Sequence, residues 1–139
     1  MKKYLLLSAA VCIVATVTAQ KTVPSAAAKK SFEQKYADAT KTSWEKEGKD
    51  YEVNFTQGSN KMSAVFDKAG AWKETEEVVA ATDLPAAVTT YVQTHYKGTP
   101  IKRAEKITKA NGNINYEVAI GKKEYIFDAS GKMIEQEKE

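Results

Sequence analysis

Tyr116-Glu117-Val118-Ala119-Ile120, followed by Tyr125-Ile126-Phe127-Asp128-Ala129-Ser130-Gly131, decides the fold, because a similar passage stands earlier in the chain. The first copy reads Tyr51-Glu52-Val53-Asn54-Phe55, then Ala64-Val65-Phe66-Asp67-Lys68-Ala69-Gly70. The Tyr-Glu-Val segments are 116 − 51 = 65 residues apart and the Phe-Asp-x-x-Gly segments 127 − 66 = 61. The difference falls in a connecting loop, where added residues cost little. Tyr51, Val53 and Phe55 point one way and Glu52 and Asn54 the other, the alternation of a strand with one buried and one wet face. Asp67-Lys68-Ala69-Gly70 fits a type I turn, with Asp first and Gly fourth.

Working outward, each copy is preceded by a helix signal. Pro24 opens a helix running to about Tyr36, and Pro is favoured there because its missing N–H would have no helical partner. Ala28, Phe32 and Tyr36 share one face at i, i+4 and i+8. The second helix runs from about Pro85 to Tyr96, with Val88, Val92 and Tyr96 at the same spacing and Thr82 or Asp83 as candidate caps. Gly98 and Pro100 end it. Strands are expected at 40–47, 50–56, 61–66, 71–78, 101–109, 114–120, 123–127 and 132–137. The expected fold is α+β: two tandem repeats, about 23–79 and 84–137, of one helix plus a four-stranded antiparallel sheet. The helices pack on one sheet face and the other face is polar and open. The strand pattern leaves open whether the halves share one sheet of about eight strands or form two abutting sheets.

The N-terminus reads as an export signal. Lys2 and Lys3 precede an apolar run from Tyr4 to Val17, and Val17-Thr18-Ala19 offers a cleavage site before Gln20, giving a signal peptide over 1–19 and a single domain over 20–139. The run is short for a membrane span, which needs about 20 residues. Cys12, the chain's one cysteine, sits inside that run after Val11, a poor lipidation context. The mature chain therefore has no disulfide or thiolate metal site. Removing residues 1–19 takes two lysines from a net charge of +3, leaving 3 − 2 = +1. That is no footprint for nucleic acid. The localisation expected is periplasmic or secreted, with membrane contact only through the signal peptide before cleavage.

The export signal, the Val/Leu-Pro before each helix, Trp44-Glu45-Lys46-Glu47-Gly48 leading into Tyr51-Glu52-Val53, and the paired Phe-Asp-x-x-Gly turns resemble the β-lactamase-inhibitor-like, PepSY-like periplasmic proteins. The resemblance spans the whole mature chain. It implies an α+β fold of tandem helix-plus-sheet repeats exported to the periplasm, and it carries over no catalytic residue.

The candidate chemistry is sparse. His95, the single histidine, stands near a helix C-terminus, where an imidazole suits the dipole. Asp67 and Asp128 lack the alternating oxygen ligands of a calcium loop, and turn chemistry accounts for both. Glu74, Glu76, Glu77, Glu135 and Glu137 read as a solvated strand face rather than an acid–base pair, which needs a cleft to shift one pKa. Trp44 and Trp72 are the candidate partner-binding residues, since aromatics anchor protein contacts. Met133 stands at the position matching Trp72, which favours a core role for that residue. No phosphate loop, nucleophile elbow or metal-ligand cluster is present, so no cofactor, metal or catalytic residue is expected. The expected function is a non-enzymatic exported binding module for a secreted or periplasmic protein or peptide, with inhibition or regulation of a secreted hydrolase as one form. The alternative is a small-molecule sensor or carrier with an apolar pocket between sheet and helices.

Overall fold

A computed structural model describes residues 22–136; the expected signal peptide and Glu137 lie outside the described residues. The chain runs α1 (Ala26–Lys35), β1 (Thr40–Glu47), β2 (Asp50–Gln57), β3 (Asn60–Phe66) and β4 (Trp72–Val79). A short 3-10 turn (Ala81–Asp83) leads to α2 (Ala86–His95), then β5 (Ile101–Lys109), β6 (Ile114–Ile120), β7 (Lys123–Asp128) and β8 (Met133–Gln136).

All eight strands form one antiparallel sheet in chain order. This corrects the expectation of two four-stranded sheets, each with its own helix. The molecule is mostly β, a single sheet carrying two short helices. The joint is the β4–β5 ladder, where Glu74 to Val79 pair with Lys109 to Ala104. Two separate sheets would leave the β4 and β5 edges with rows of unpaired N–H and C=O groups, a strongly disfavoured arrangement. The Lys109 Nζ to Glu74 Oε2 contact at 3.0 Å and the Ala110 N–H to Lys73 carbonyl bond at 2.7 Å close one end of that joint.

Both helices lie on the same sheet face. Ala28, Phe32 and Tyr36 of the α1 segment pack with Val53, Phe55, Ala64 and Phe66. Val88 and Val92 of α2 pack with Ala104, Val118, Ile120, Tyr125 and Phe127. Phe32 is the hub of the first cluster, with edge-on contacts to Phe55 at 5.1 Å, Trp44 at 5.5 Å and Phe66 at 6.3 Å between ring centres. Such pairs add to the area that they bury.

The helix starts differ from the sequence expectation. Ser25 caps α1, its hydroxyl accepting from the Ala28 N–H at 3.1 Å and donating to the Lys68 carbonyl at 2.8 Å. Neither Thr82 nor Asp83 caps α2; both belong to the 3-10 turn, and Pro85 stands at the cap position without a side-chain hydrogen bond. Ser25→Ala should therefore cost about 1 kcal/mol, seen as a lower urea midpoint at unchanged slope. An unchanged midpoint would show that the cap adds nothing to stability.

Candidate functional site

Period-two alternation places a second set of side chains on the face away from the helices. The register aligns Asn54, Ser63, Glu76, Ile107 and Asn115 across one row of that face. The next row holds Val78, Glu105, Glu117 and Ile126. Glu52, Val65, Glu74 and Lys109 form a third.

No described helix covers this face, yet many of its side chains are buried. Val65 is 5% exposed, and Ile107 and Ile126 are 4%. They belong to neither helix-side cluster. Beside them Ser63, Asn115, Glu76 at 8% and Glu117 at 4% are buried too. A sheet twists as strands are added, and the inner side of the curl crowds its side chains together. The result is a face whose central aliphatic and carboxylate side chains are packed together and largely closed to solvent.

Among the described residues, carboxylates outnumber cations on this face. Arg103, from β5, reaches Glu117 at 3.0 Å, Glu124 at 3.1 Å and Glu105 at 3.6 Å. Lys109 pairs with Glu74. Glu76 has only a long contact from the Ser63 hydroxyl, 3.4 Å to Oε2. Burial first, and then Glu105, Glu117, Glu74 and Glu52, push the Glu76 carboxyl up to about 8. Burial, then Glu124 and Glu105, push Glu117 up to about 7 against the opposing pull of Arg103. Burial raises Glu52 and Glu105 as well. Burial and mutual repulsion thus favour the protonated form of the carboxyls on this face.

The sequence-derived candidates fall elsewhere. Trp44 and Trp72 are half-buried on the helix side against the first aromatic cluster. The Trp72 indole N–H donates to the Thr75 hydroxyl at 2.9 Å, and Lys35 Nζ stands 3.9 Å from the centre of its ring. Thr75 also pairs with the Tyr36 hydroxyl. Lys35, Tyr36, Gln57, Trp72, Thr75 and Thr108 line a crevice of about 290 Å³ there. His95 stacks on Tyr91 at 4.1 Å, with Nδ1 2.9 Å from the Tyr91 carbonyl.

Asp67 Oδ1 accepts from the Ala69 and Ala71 N–H groups, both at 2.9 Å, and the bond from Ala71 leads the causes that hold its pKa down. Asp128 Oδ1 accepts from the Ser130 hydroxyl at 2.6 Å and from the Ser130 and Lys132 N–H groups at 2.9 and 3.0 Å. The Ser130 hydroxyl is the largest cause of its lowered pKa. Both aspartates are occupied in their own turns. No group of three or more His, Cys, Asp or Glu among the described residues is placed to hold a metal ion.

Glu76 corrects the reading of the β4 glutamates as a uniformly solvated face. The sequence did carry a signal for this burial. Ala64-Val65-Phe66 and Tyr125-Ile126-Phe127 are unbroken apolar runs, the mark of strands buried on both faces.

The fold is a single antiparallel sheet with two helices on one side and a carboxylate-rich opposite side. The chain belongs to the family described as "Putative beta-lactamase-inhibitor-like, PepSY-like", whose model matches residues 12–61 and again 49–135. The fold is similar to that of a "putative periplasmic" protein of Bacteroides eggerthii, at 13% identity and TM-score 0.77 over 84% of this chain and 89% of that one. It is also similar to a BLIP-like protein of Bacteroides fragilis, at 21% identity and TM-score 0.68 over 84% and 86%. A DUF2874 family protein of Bacteroides uniformis matches at 16% identity and TM-score 0.75 over 84% and 89%. No curated protein matches the sequence.

Proposed function

We propose that this protein is an exported, non-enzymatic binding module that holds a protein or peptide partner on the open, carboxylate-rich face of its sheet. One observation carries the reading: seven buried side chains from five neighbouring strands lie on a face that no described helix covers, namely Ser63, Val65, Glu76, Ile107, Asn115, Glu117 and Ile126. Apolar groups framed by polar ones are the usual make-up of a recognition patch. Periplasmic or secreted placement is part of the same proposal. It draws support from Lys2, Lys3 and the apolar run after them, and from the periplasmic naming of the B. eggerthii neighbour. The B. fragilis neighbour's BLIP-like name supports a hydrolase as one kind of partner.

Trp44 is kept as a second contact, half-buried at the β1 edge, and Trp72 as a third beside α1. The carrier reading draws on two openings, the crevice of about 290 Å³ beside Tyr36 and Trp72 and a wider groove of about 600 Å³ beside Val92, Tyr96 and Pro100.

The test is capture from a periplasmic extract on the immobilised protein, compared with Glu52→Lys and Trp44→Ala variants that melt normally. A stoichiometric partner lost with Glu52→Lys supports the open sheet face. Loss with Trp44→Ala alone moves the contact to the β1 edge. No captured partner, together with no secreted hydrolase slowed by the protein, overturns the reading.

A further inference from the structure

We propose that the β4–β5 ladder is a seam along which the sheet parts into two cored halves before it unfolds, and that ionisation of the Glu76 carboxyl favours the parting.

Side chains paired across neighbouring strands hold a ladder together beyond its backbone bonds. On the helix side, β2 and β3 join through Tyr51–Phe66, Val53–Ala64 and Phe55–Met62, and β6 and β7 through Tyr116–Phe127 and Val118–Tyr125. The β4–β5 ladder instead sets Thr75 against Thr108 and Glu77 against Lys106, with an apolar pair only at Val79–Ala104. On the open face each of its three pairs holds a carboxyl: Glu74–Lys109, Glu76–Ile107 and Val78–Glu105.

The cores follow the same division. Among the described residues, the clusters under α1 and α2 share no member, and Val79 is the one β4 residue packed against the second. Over the middle of the seam the helix side is a crevice of about 290 Å³, lined in part by Tyr36, Trp72, Thr75 and Thr108.

The connection adds slack. The other six ladders are closed by short turns, whereas the 3-10 turn and α2 lie between β4 and β5. A parted β4–β5 ladder therefore has a longer loop to close again, at a greater entropy cost. Each half keeps its helix, its cluster and three ladders. Against the parting stand the Glu74–Lys109 ion pair at one end of the seam and the Val79–Ala104 pair at the other.

Glu76 sits in the middle of this line, 8% exposed. Burial is the chief cost of charging it, and Glu105 of β5, Glu117 of β6, Glu74 of its own strand and Glu52 of β2 add to that cost. From β3 the Ser63 hydroxyl reaches it at 3.4 Å. The cations on this face are Lys61 of β3, which is exposed, and Arg103 and Lys109 of β5. Arg103 is engaged with Glu105, Glu117 and Glu124 of β7, and Lys109 with Glu74. Parting the seam brings the Glu76 carboxyl to water and separates it from Glu105 and Glu117, which belong to the other half. Opening therefore releases a proton between about 4.5 and about 8, and becomes easier as pH rises through that range.

The experiment is amide hydrogen exchange, read residue by residue by NMR on the purified protein at pH 5 and pH 8.5 in low urea, with rates corrected for base catalysis. Amides bonded across β4–β5 should be protected roughly tenfold less, or weaker still, than those bonded across β2–β3 and β6–β7. Their urea dependence should be smaller, because parting the seam exposes less surface than unfolding does. Their protection should fall about tenfold or more from pH 5 to pH 8.5, and Glu76→Gln should remove most of that fall. Glu77→Gln changes a charge on the helix side of the same strand and should behave as the wild type.

Seam amides that match the other interior ladders in protection and urea dependence overturn the proposal, because the sheet then opens as one unit. That comparison needs no variant. A fall with pH that persists undiminished in Glu76→Gln, or one that Glu77→Gln removes equally, overturns the role given to the Glu76 carboxyl.

Discussion

Gly131→Ala should remove roughly 2–5 kcal/mol of stability, a large part of what a domain of this size holds. Two costs add at this site. Gly131 has φ +84, a left-handed conformation that costs an alanine about 1–2 kcal/mol. An added Cβ would also stand 2.3 Å from the Ala87 Cβ, 3.0 Å from the Ala87 carbonyl carbon and 3.1 Å from the Val88 nitrogen. Those are atoms of the first turn of α2, and Val88 is fully buried. The helix cannot retreat without withdrawing Val88 from Val118 and Phe127, and overpacking of this kind costs about 1–3 kcal/mol or more. Gly70 meets the first helix in the same way, 2.8 Å from the Ala27 carbonyl oxygen.

Gly121 is the control. Its φ is +64, but nothing lies within 4 Å of an added Cβ, so Gly121→Ala should cost only about 1–2 kcal/mol. Urea unfolding of the two variants separates conformational strain from the clash. Adding Ala87→Gly to Gly131→Ala should recover part of the steric loss, offset by about 1 kcal/mol for glycine in a helix. Equal losses at Gly131 and Gly121 would mean that the turn does not brace the helix.

These glycines show what was legible and what was not. The Phe-Asp-x-x-Gly turns stand out in the sequence because their chemistry is local: an Asp side chain on the turn's own amides and a glycine at positive φ. The helix faces were legible for the same reason, since Ala28, Phe32 and Tyr36 follow from 3.6-residue spacing alone. That each turn glycine is a docking point for a helix is a long-range fact without a local mark. The union of the two halves was hidden too. Alternation says which face of β4 or β5 is apolar, but pairing between them is made by backbone groups that carry no sequence signature. A helix-bearing connection of about twenty residues separates them, so no turn residue announces the ladder.

The burial on the open face was missed through a single assumption, that a strand glutamate opposite an apolar residue must be in water. Alternation assigns a side, and curvature then decides whether that side is wet. Val65 and Ile126, each between two core residues, were the local contradiction to an open polar face. Trp44 and Trp72 attracted attention by size, but their ring contacts are with Phe32, Phe66 and Lys35 on the helix side.

Glu76→Gln should make the protein more stable at alkaline pH and leave it nearly unchanged near pH 4. The sign follows from proton counts. The folded-state pKa is raised, to about 8 from an ordinary 4.5. Between those values the folded protein holds a proton that the unfolded chain has released, so stability falls as pH rises. The favourable contribution of the protonated form is fully present below about 4.5 and gone above about 8. Each pK unit is worth about 1.4 kcal/mol, so the full swing is several kcal/mol.

Glutamine keeps the shape, can donate where the protonated acid donated, and never ionises. Its gain over the wild type at pH 9 should be roughly 2–4 kcal/mol after allowance for the buried amide. Urea unfolding at pH 4, 6.5 and 9 would read this directly. The wild type should lose stability along that series, and the variant should lose much less. Parallel curves for the two proteins would show that Glu76 ionises as freely folded as unfolded.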